Sequence, residues 1–258
     1  MDKNGFFIGW QEKLPGKSRS AIIKLLLIFI LISIALITLF VLNQSKFNDH
    51  FFRFGQISEV TGVYHDAPVP ILRVTDGSLD EGVSPDLLLV GYGKSGAEGI
   101  MQIIQSQHGA LEGKTITIQG SLIYGDGKSV LELTKKDQSL VNINEDDIVV
   151  SPPGGLRSER EVQGEILDPK CYFGVMKPGE GKIHKSCAIR CISGGIPPVL
   201  RSTINGQNQY FIITAKDGSK INEKVLDFIA EPVKIKGMTY EIHGWKILEI
   251  NPSDIEIL

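Results

Sequence analysis

Cysteine is scarce in this 258-residue chain: there are three, beside five histidines and two tryptophans. An odd count excludes a framework in which every cysteine is paired within the chain. The histidines offer no Ser-His-Asp order. His65, His108 and His243 fit solvated or capping roles, and His50, in an aromatic segment, an interfacial one. Neither sign of charge dominates, at a formal net of −3. Residues 1–24 carry five basic side chains against two acidic ones, a net of +3, which leaves −6 for residues 25–258. An acidic main body disfavours nucleic acid as a partner, because that affinity rests on Lys and Arg neutralising phosphates.

Further motifs are missing. The run Gly91-Tyr92-Gly93-Lys94-Ser95-Gly96 has Leu88 where a phosphate-binding P-loop needs its first glycine, so it reads as a strand-to-helix connection. The acidic cluster Glu145-Asp146-Asp147 lacks the ligand spacing of a calcium loop and reads as a solvated linker face.

What is present begins with one long apolar run. Leu25–Leu42 is 18 residues without a charge, and Ala21–Ile23 extend it. With Lys24 able to snorkel, residues 21–44 match a hydrocarbon core about 30 Å thick. Asn43-Gln44-Ser45-Lys46 come next, without the small-residue cleavage site of a signal peptide, so an uncleaved single-pass anchor is expected. The basic excess in the tail, residues 1–20, places the N-terminus in the cytoplasm and residues 45–258 outside a cytoplasmic (inner) membrane. Phe6, Phe7 and Trp10 before the span, and Phe47, Phe51, Phe52 and Phe54 after it, suit interfacial zones.

Beyond the anchor the same signals recur twice. Val60-Thr61-Gly62 answers Val162-Gln163-Gly164, and Pro70-Ile71-Leu72-Arg73 answers Pro198-Val199-Leu200-Arg201. Asp86–Val90 answers Gln209–Ile213. A helical stretch comes after these in each half, on Ala97, Ile100, Ile103 and Ile104 and then on Ile221, Val225 and Ile229. Each half closes on a hairpin, turning at Gly125-Asp126-Gly127 and near His243-Gly244. Three strands, a helix and two strands resemble the OB-fold, a five-stranded partly open barrel. The resemblance implies a mainly β architecture of two OB-like barrels, each with one helix, after a single N-terminal transmembrane helix. Module 1 spans 45–150, a breaker-rich linker 151–160, and module 2 161–258; one continuous β-sandwich is the alternative.

The offset between halves grows from 102 residues at Gly62/Gly164 to 128 at Pro70/Pro198, so the second module carries 26 extra residues between its first two strands. This insertion, residues 168–195, holds all three cysteines in the spacing Cys-x12-His-x2-Cys-x3-Cys. A short helix stopped by Gly194 would place His184, Cys187 and Cys191 on one face, and the Pro178-Gly179-Glu180-Gly181 turn could bring Cys171 over it. Cys171, His184, Cys187 and Cys191 could then close a shell around Zn²⁺ or Cu(I), with Met176 a further soft ligand. Lys170, Lys177, Lys182, Lys185 and Arg190 would favour thiolates. A Cys171 disulfide with one spare thiol, and a redox-active pair, remain alternatives.

The segment is similar to short Cys/His modules of uncharacterised single-pass exported bacterial proteins, and its Cys-x3-Cys with a histidine resembles copper-delivery proteins of the Sco type. The expectation is a non-catalytic, membrane-tethered metal-binding or metal-handling accessory protein. The alternatives are an envelope module binding a protein complex or glycan, with the cysteines as a staple, and a thiol–disulfide redox protein.

Overall fold

The computed structural model describes residues 16–44, 50–148 and 154–258. The expectations for residues 1–15, for Phe47 and for Ser151-Pro152-Pro153 lie outside the described residues. Helix α1 (Gly16–Asn43) begins five residues before the expected span and contains one segment, Ser18–Asn43, long and apolar enough to cross a membrane. Its apolar residues face all directions, as expected of a helix surrounded by lipid.

The unit after the helix is mainly β. Its first barrel comprises β2 (Ser58–His65), β3 (Ile71–Val74), β4 (Asp86–Gly91), β5 (Lys114–Gly125) and β6 (Lys128–Leu133), preceded by the short β1 (Phe51–Phe52). Helix α2 (Glu98–His108) lies between β4 and β5, burying Met101 and Ile104. Strand order β5-β2-β3-β4-β6 closes through β5–β6 pairing, and β4–β6 is the parallel pair. The second barrel repeats this with β8 (Ser158–Leu167), β9 (Val199–Ile204), β10 (Gln207–Ala215), β11 (Pro232–Ile242) and β12 (Trp245–Ile250). Order β11-β8-β9-β10-β12 closes through β11–β12, with β10–β12 parallel. Both are OB-like barrels.

The turns explain why the hairpins align. Asp126 and Gly127 have φ of 50° and 71°, and His243 and Gly244 of 48° and 68°. Two consecutive positive-φ residues give the turn whose twist matches paired strands.

Three details differ from the sequence reading. Glu145-Asp146-Asp147 belongs to a strand, β7 (Leu140–Ile148), paired with β5; its second-barrel counterpart is β13 (Ile255–Ile257), paired with β11. Strand β8 starts at Ser158, within the stretch expected as linker. The second barrel's helical stretch is a 3₁₀ turn, Asn222–Phe228, too short for an α-helix to gain by cooperative extension.

The packing joins the barrels into one body. Each has its own interior core, the first including Leu72, Leu87, Leu89 and Leu131, the second Leu200, Phe211, Ile213 and Leu248. A third core lies between them and holds the alternate residues of the same strands. Across the first barrel Ile71, Leu88, Val130 and Ile123 form one cross-strand row; across the second, Val199, Ile212, Ile247 and Tyr240 do. Equivalent faces therefore meet, as in a two-fold interface. This accounts for the continuous apolar runs at 87–90 and 210–213: strands buried on both faces lose the apolar–polar alternation. Each such side chain is worth about 1.5–3 kcal/mol on burial.

The polar contacts are reciprocal too. The Asp126 carboxylate, in the first hairpin turn, accepts from Tyr210 Oη (2.5 Å) and Asn208 Nδ2 (3.0 Å). In the other direction Trp245 Nε1 donates to the Asp86 carbonyl (3.2 Å), and Lys128 Nζ to the Gly244 carbonyl (2.7 Å). His65 and His243 are buried against each other here rather than solvated, and His50 is buried with Nδ1 3.0 Å from the Tyr172 carbonyl.

Candidate metal centre

The insertion leaves β8 at Asp168, which tethers the next turn of chain. Its carboxylate accepts the Cys171 N–H (2.8 Å) and its carbonyl the Tyr172 N–H (3.1 Å). Residues Cys171–Val175 then form a π-helical turn. Tyr172 and Phe173 are buried in the core between the barrels, so the position of Cys171 is set by aromatic packing against Tyr210 and Trp245.

Helix α3 (Gly181–Ser193) spans the expected helix and ends where glycine was expected to stop it. Its first N–H groups lack a side-chain cap of the usual kind; Glu165 of β8 accepts from Gly181 N–H (2.6 Å) instead. At the other end Asn222 Nδ2 donates to the carbonyls of Ile192 (2.7 Å) and Ile196 (2.8 Å).

The three thiols converge. Cys171 Sγ lies 4.0 Å from Cys187 Sγ and 3.9 Å from Cys191 Sγ, and all three sulfurs fall within 4.8 Å of one another. None of these separations is a disulfide bond, which needs about 2.05 Å. Sulfurs about 2.3 Å from a shared metal stand about 3.8 Å apart in a tetrahedral shell and about 4.0 Å apart in a planar three-sulfur one. Cys171 and Cys191 are buried; Cys187 is the outermost.

His184 stands with a different pair. Its Nε2 is 3.0 Å from Asp168 Oδ2, with both side chains buried, and one ring nitrogen, Cys171 Sγ and an Asp168 oxygen form a second close group. Among the described residues no group of that closeness joins His184 to Cys187 or Cys191, so Cys171 is the link between the two clusters. His184 Nδ1 is buried and has no hydrogen-bond partner among the described residues. A histidine with one ring nitrogen tied to a carboxylate and the other unengaged has the donor set of a metal-ligating imidazole. Met176, the other candidate ligand, is exposed.

The cation beside the sulfurs is one the sequence reading placed elsewhere. Lys94, in the Gly91–Gly96 connection of the first barrel, donates to Cys187 Sγ at 2.9 Å and lies 4.0 Å from Cys191 Sγ. Lys170 instead makes a buried ion pair with Glu132 (2.5 Å) and donates to the Gly91 (2.9 Å) and Gly93 (2.6 Å) carbonyls. Lys177 donates to the His50 carbonyl and Lys185 to Glu231. The connection is also fixed to the end of α3. Gly96 N–H donates to the Gly194 carbonyl (2.9 Å), and a side chain at Gly194 would overlap the Lys94 carbonyl oxygen.

Protonation is unevenly shared. The hydrogen bond between Cys171 and Cys191 acts first on both: it raises Cys171, with burial and the Asp168 carboxylate adding, and it lowers Cys191, with Lys94 adding. Cys191 is thus the more acidic thiol of the pair and Cys171 the less acidic. The Lys94 ammonium is in turn raised, chiefly by its hydrogen bond to Cys187.

Asp168 and Lys94 are the two members that sequence reasoning missed. An acid three residues before Cys171 is a turn-capping signal that could have singled out Asp168. Lys94 carried no local signal, since only the joining of the barrels brings it to the sulfurs. Comparison with protein-family models, with curated proteins and with solved structures finds no match for this chain.

Proposed function

We propose that this protein is a membrane-anchored metal-binding accessory protein. It holds Zn²⁺ or Cu(I) through Cys171, Cys187 and Cys191, with His184 as fourth ligand. The single observation that carries this reading is the convergence of the three sulfurs at separations suited to a shared metal. The unengaged Nδ1 of His184, backed by Asp168, supports the fourth position. Helix α1 serves as an uncleaved anchor in the cytoplasmic membrane, N-terminus inside and barrels outside, in keeping with the basic residues before the span. No catalytic role is proposed.

The test is elemental analysis of the full chain, purified in detergent under reducing conditions. About one Zn or Cu per chain is expected, lost on substituting serine at any of the three cysteines. A wild-type chain that holds no metal after loading, with Cys171 found in a disulfide by mass spectrometry, rejects the reading.

A thiol–disulfide redox role is the second reading, favoured by the Lys94 ammonium beside Cys187. It requires exchange with an added disulfide at a measurable rate; reduced protein whose thiols all resist alkylation eliminates it.

A further inference from the structure

The three sulfurs differ in their access to an incoming molecule. Cys171 and Cys191 are 5% and 1% exposed, both packed into the inter-barrel core, whereas Cys187 is only half-buried. His184 lies on the inner side with Asp168, which is fully buried. Any molecule reaching a metal at this centre from solvent meets Cys187 first. Structural metal sites are closed shells, and an outer ligand that can leave makes a site exchangeable.

The partner of Cys187 bears on how easily it could leave. Lys94 Nζ sits 2.9 Å from its sulfur, on a connection whose backbone is held to the end of α3 and to Lys170 by three hydrogen bonds. A departing thiolate would pass directly to an ammonium group already in position. The same exposed positive charge draws anions toward the site.

We infer that the centre is a metal-transfer site with Cys187 as its exchange ligand, and that Lys94 directs the metal to anionic thiol acceptors. This rests on the three-sulfur reading above. In the transfer step the acceptor's thiolate sulfur forms a bond to the metal and the metal–Cys187 bond breaks. Cys187 keeps its electron pair as a thiolate paired with Lys94, and no atom is oxidised or reduced. Further thiolates replace Cys191 and Cys171 in turn and carry the ion away.

The test uses the full chain in detergent, reduced and loaded with Zn²⁺ without oxygen. Metal release to a chromophoric chelator is measured with rising glutathione, an anionic thiol, or cysteamine, a cationic one. Release is expected to speed up in proportion to glutathione and to respond less to cysteamine. In Lys94→Gln the glutathione-driven rate should fall by about tenfold and the difference between the two thiols close, while Lys94→Arg keeps both. Bound metal whose release is indifferent to thiol concentration, or a Lys94→Gln chain that still distinguishes the two thiols as wild type does, overturns the inference and leaves metal binding standing. A wild-type chain that retains no Zn²⁺ overturns the binding reading itself, and the inference with it.

Discussion

The rings of His65 and His243, one from each barrel, stack with centroids 3.5 Å apart and planes 12° apart. Burial holds His243 down to about 4, with His65 and Arg73 adding to the effect. His65 Nδ1 lies 3.1 Å from Glu112, so the stack joins the end of β2 to the hairpin turn of the second barrel.

This arrangement makes stability depend on acid. A histidine whose folded value lies below its unfolded value near 6.5 binds more protons when unfolded, so its contribution is complete above about pH 6.5 and is lost as pH falls toward 4. Melting temperature should therefore drop over that window more in wild type than in His243→Asn, whose side chain tolerates the positive φ of this turn. A difference in the two drops of about 2–4 °C per kcal/mol is the expected scale. Parallel pH profiles for the two proteins would contradict it.

Leu88 distinguishes one joined body from two separate modules. In an isolated first barrel its side chain would lie on the outer face, and Leu88→Ala would change stability by less than about 0.5 kcal/mol. In the joined body it is fully buried, like its neighbour Leu87 on the interior side. Both alanine variants should then cost about 2–5 kcal/mol in urea unfolding.

The ion pair of Lys170 and Glu132 is buried at the same junction, at 4% and 6% side-chain exposure. Lys170→Met removes the charge that balances Glu132 there and abandons the carbonyls of Gly91 and Gly93. A loss of about 3–5 kcal/mol is expected, partly recovered by adding Glu132→Gln, because an unpaired buried charge is the larger part of the penalty. A double variant no more stable than the single one would argue against this account.

Asp168 holds both Cys171 and His184, its carboxylate beside the Cys171 sulfur. Asp168→Asn should weaken metal binding by about 10–100-fold while leaving one metal per chain at saturation, as carboxylates behind ligating histidines do. Equal affinity in competition titrations would remove His184 from the ligand set.

Much of this protein was legible in its residues. The apolar run at 25–42 needs no partner to be recognised as a candidate span, since length and absence of charge are properties of one segment alone. The duplicated strand order and both hairpin turns were readable because alternation and positive-φ residues are local properties. The strands β7 and β13 were not, because a polar edge strand differs little in pattern from a linker. The spacing of His184, Cys187 and Cys191 likewise came from helical period within ten residues.

The sharing of a third core, the burial of His65 and His243, and the arrival of Lys94 at Cys187 belong to another level. Each brings together residues far apart in the chain, and no local periodicity records which outer face of one barrel will meet the other. Local pattern was enough to name the long apolar helix, the repeated barrels and the helix that bears two of the sulfurs. The surroundings of those sulfurs arose only when two apolar sheet faces, each too costly to leave in water, closed on one another.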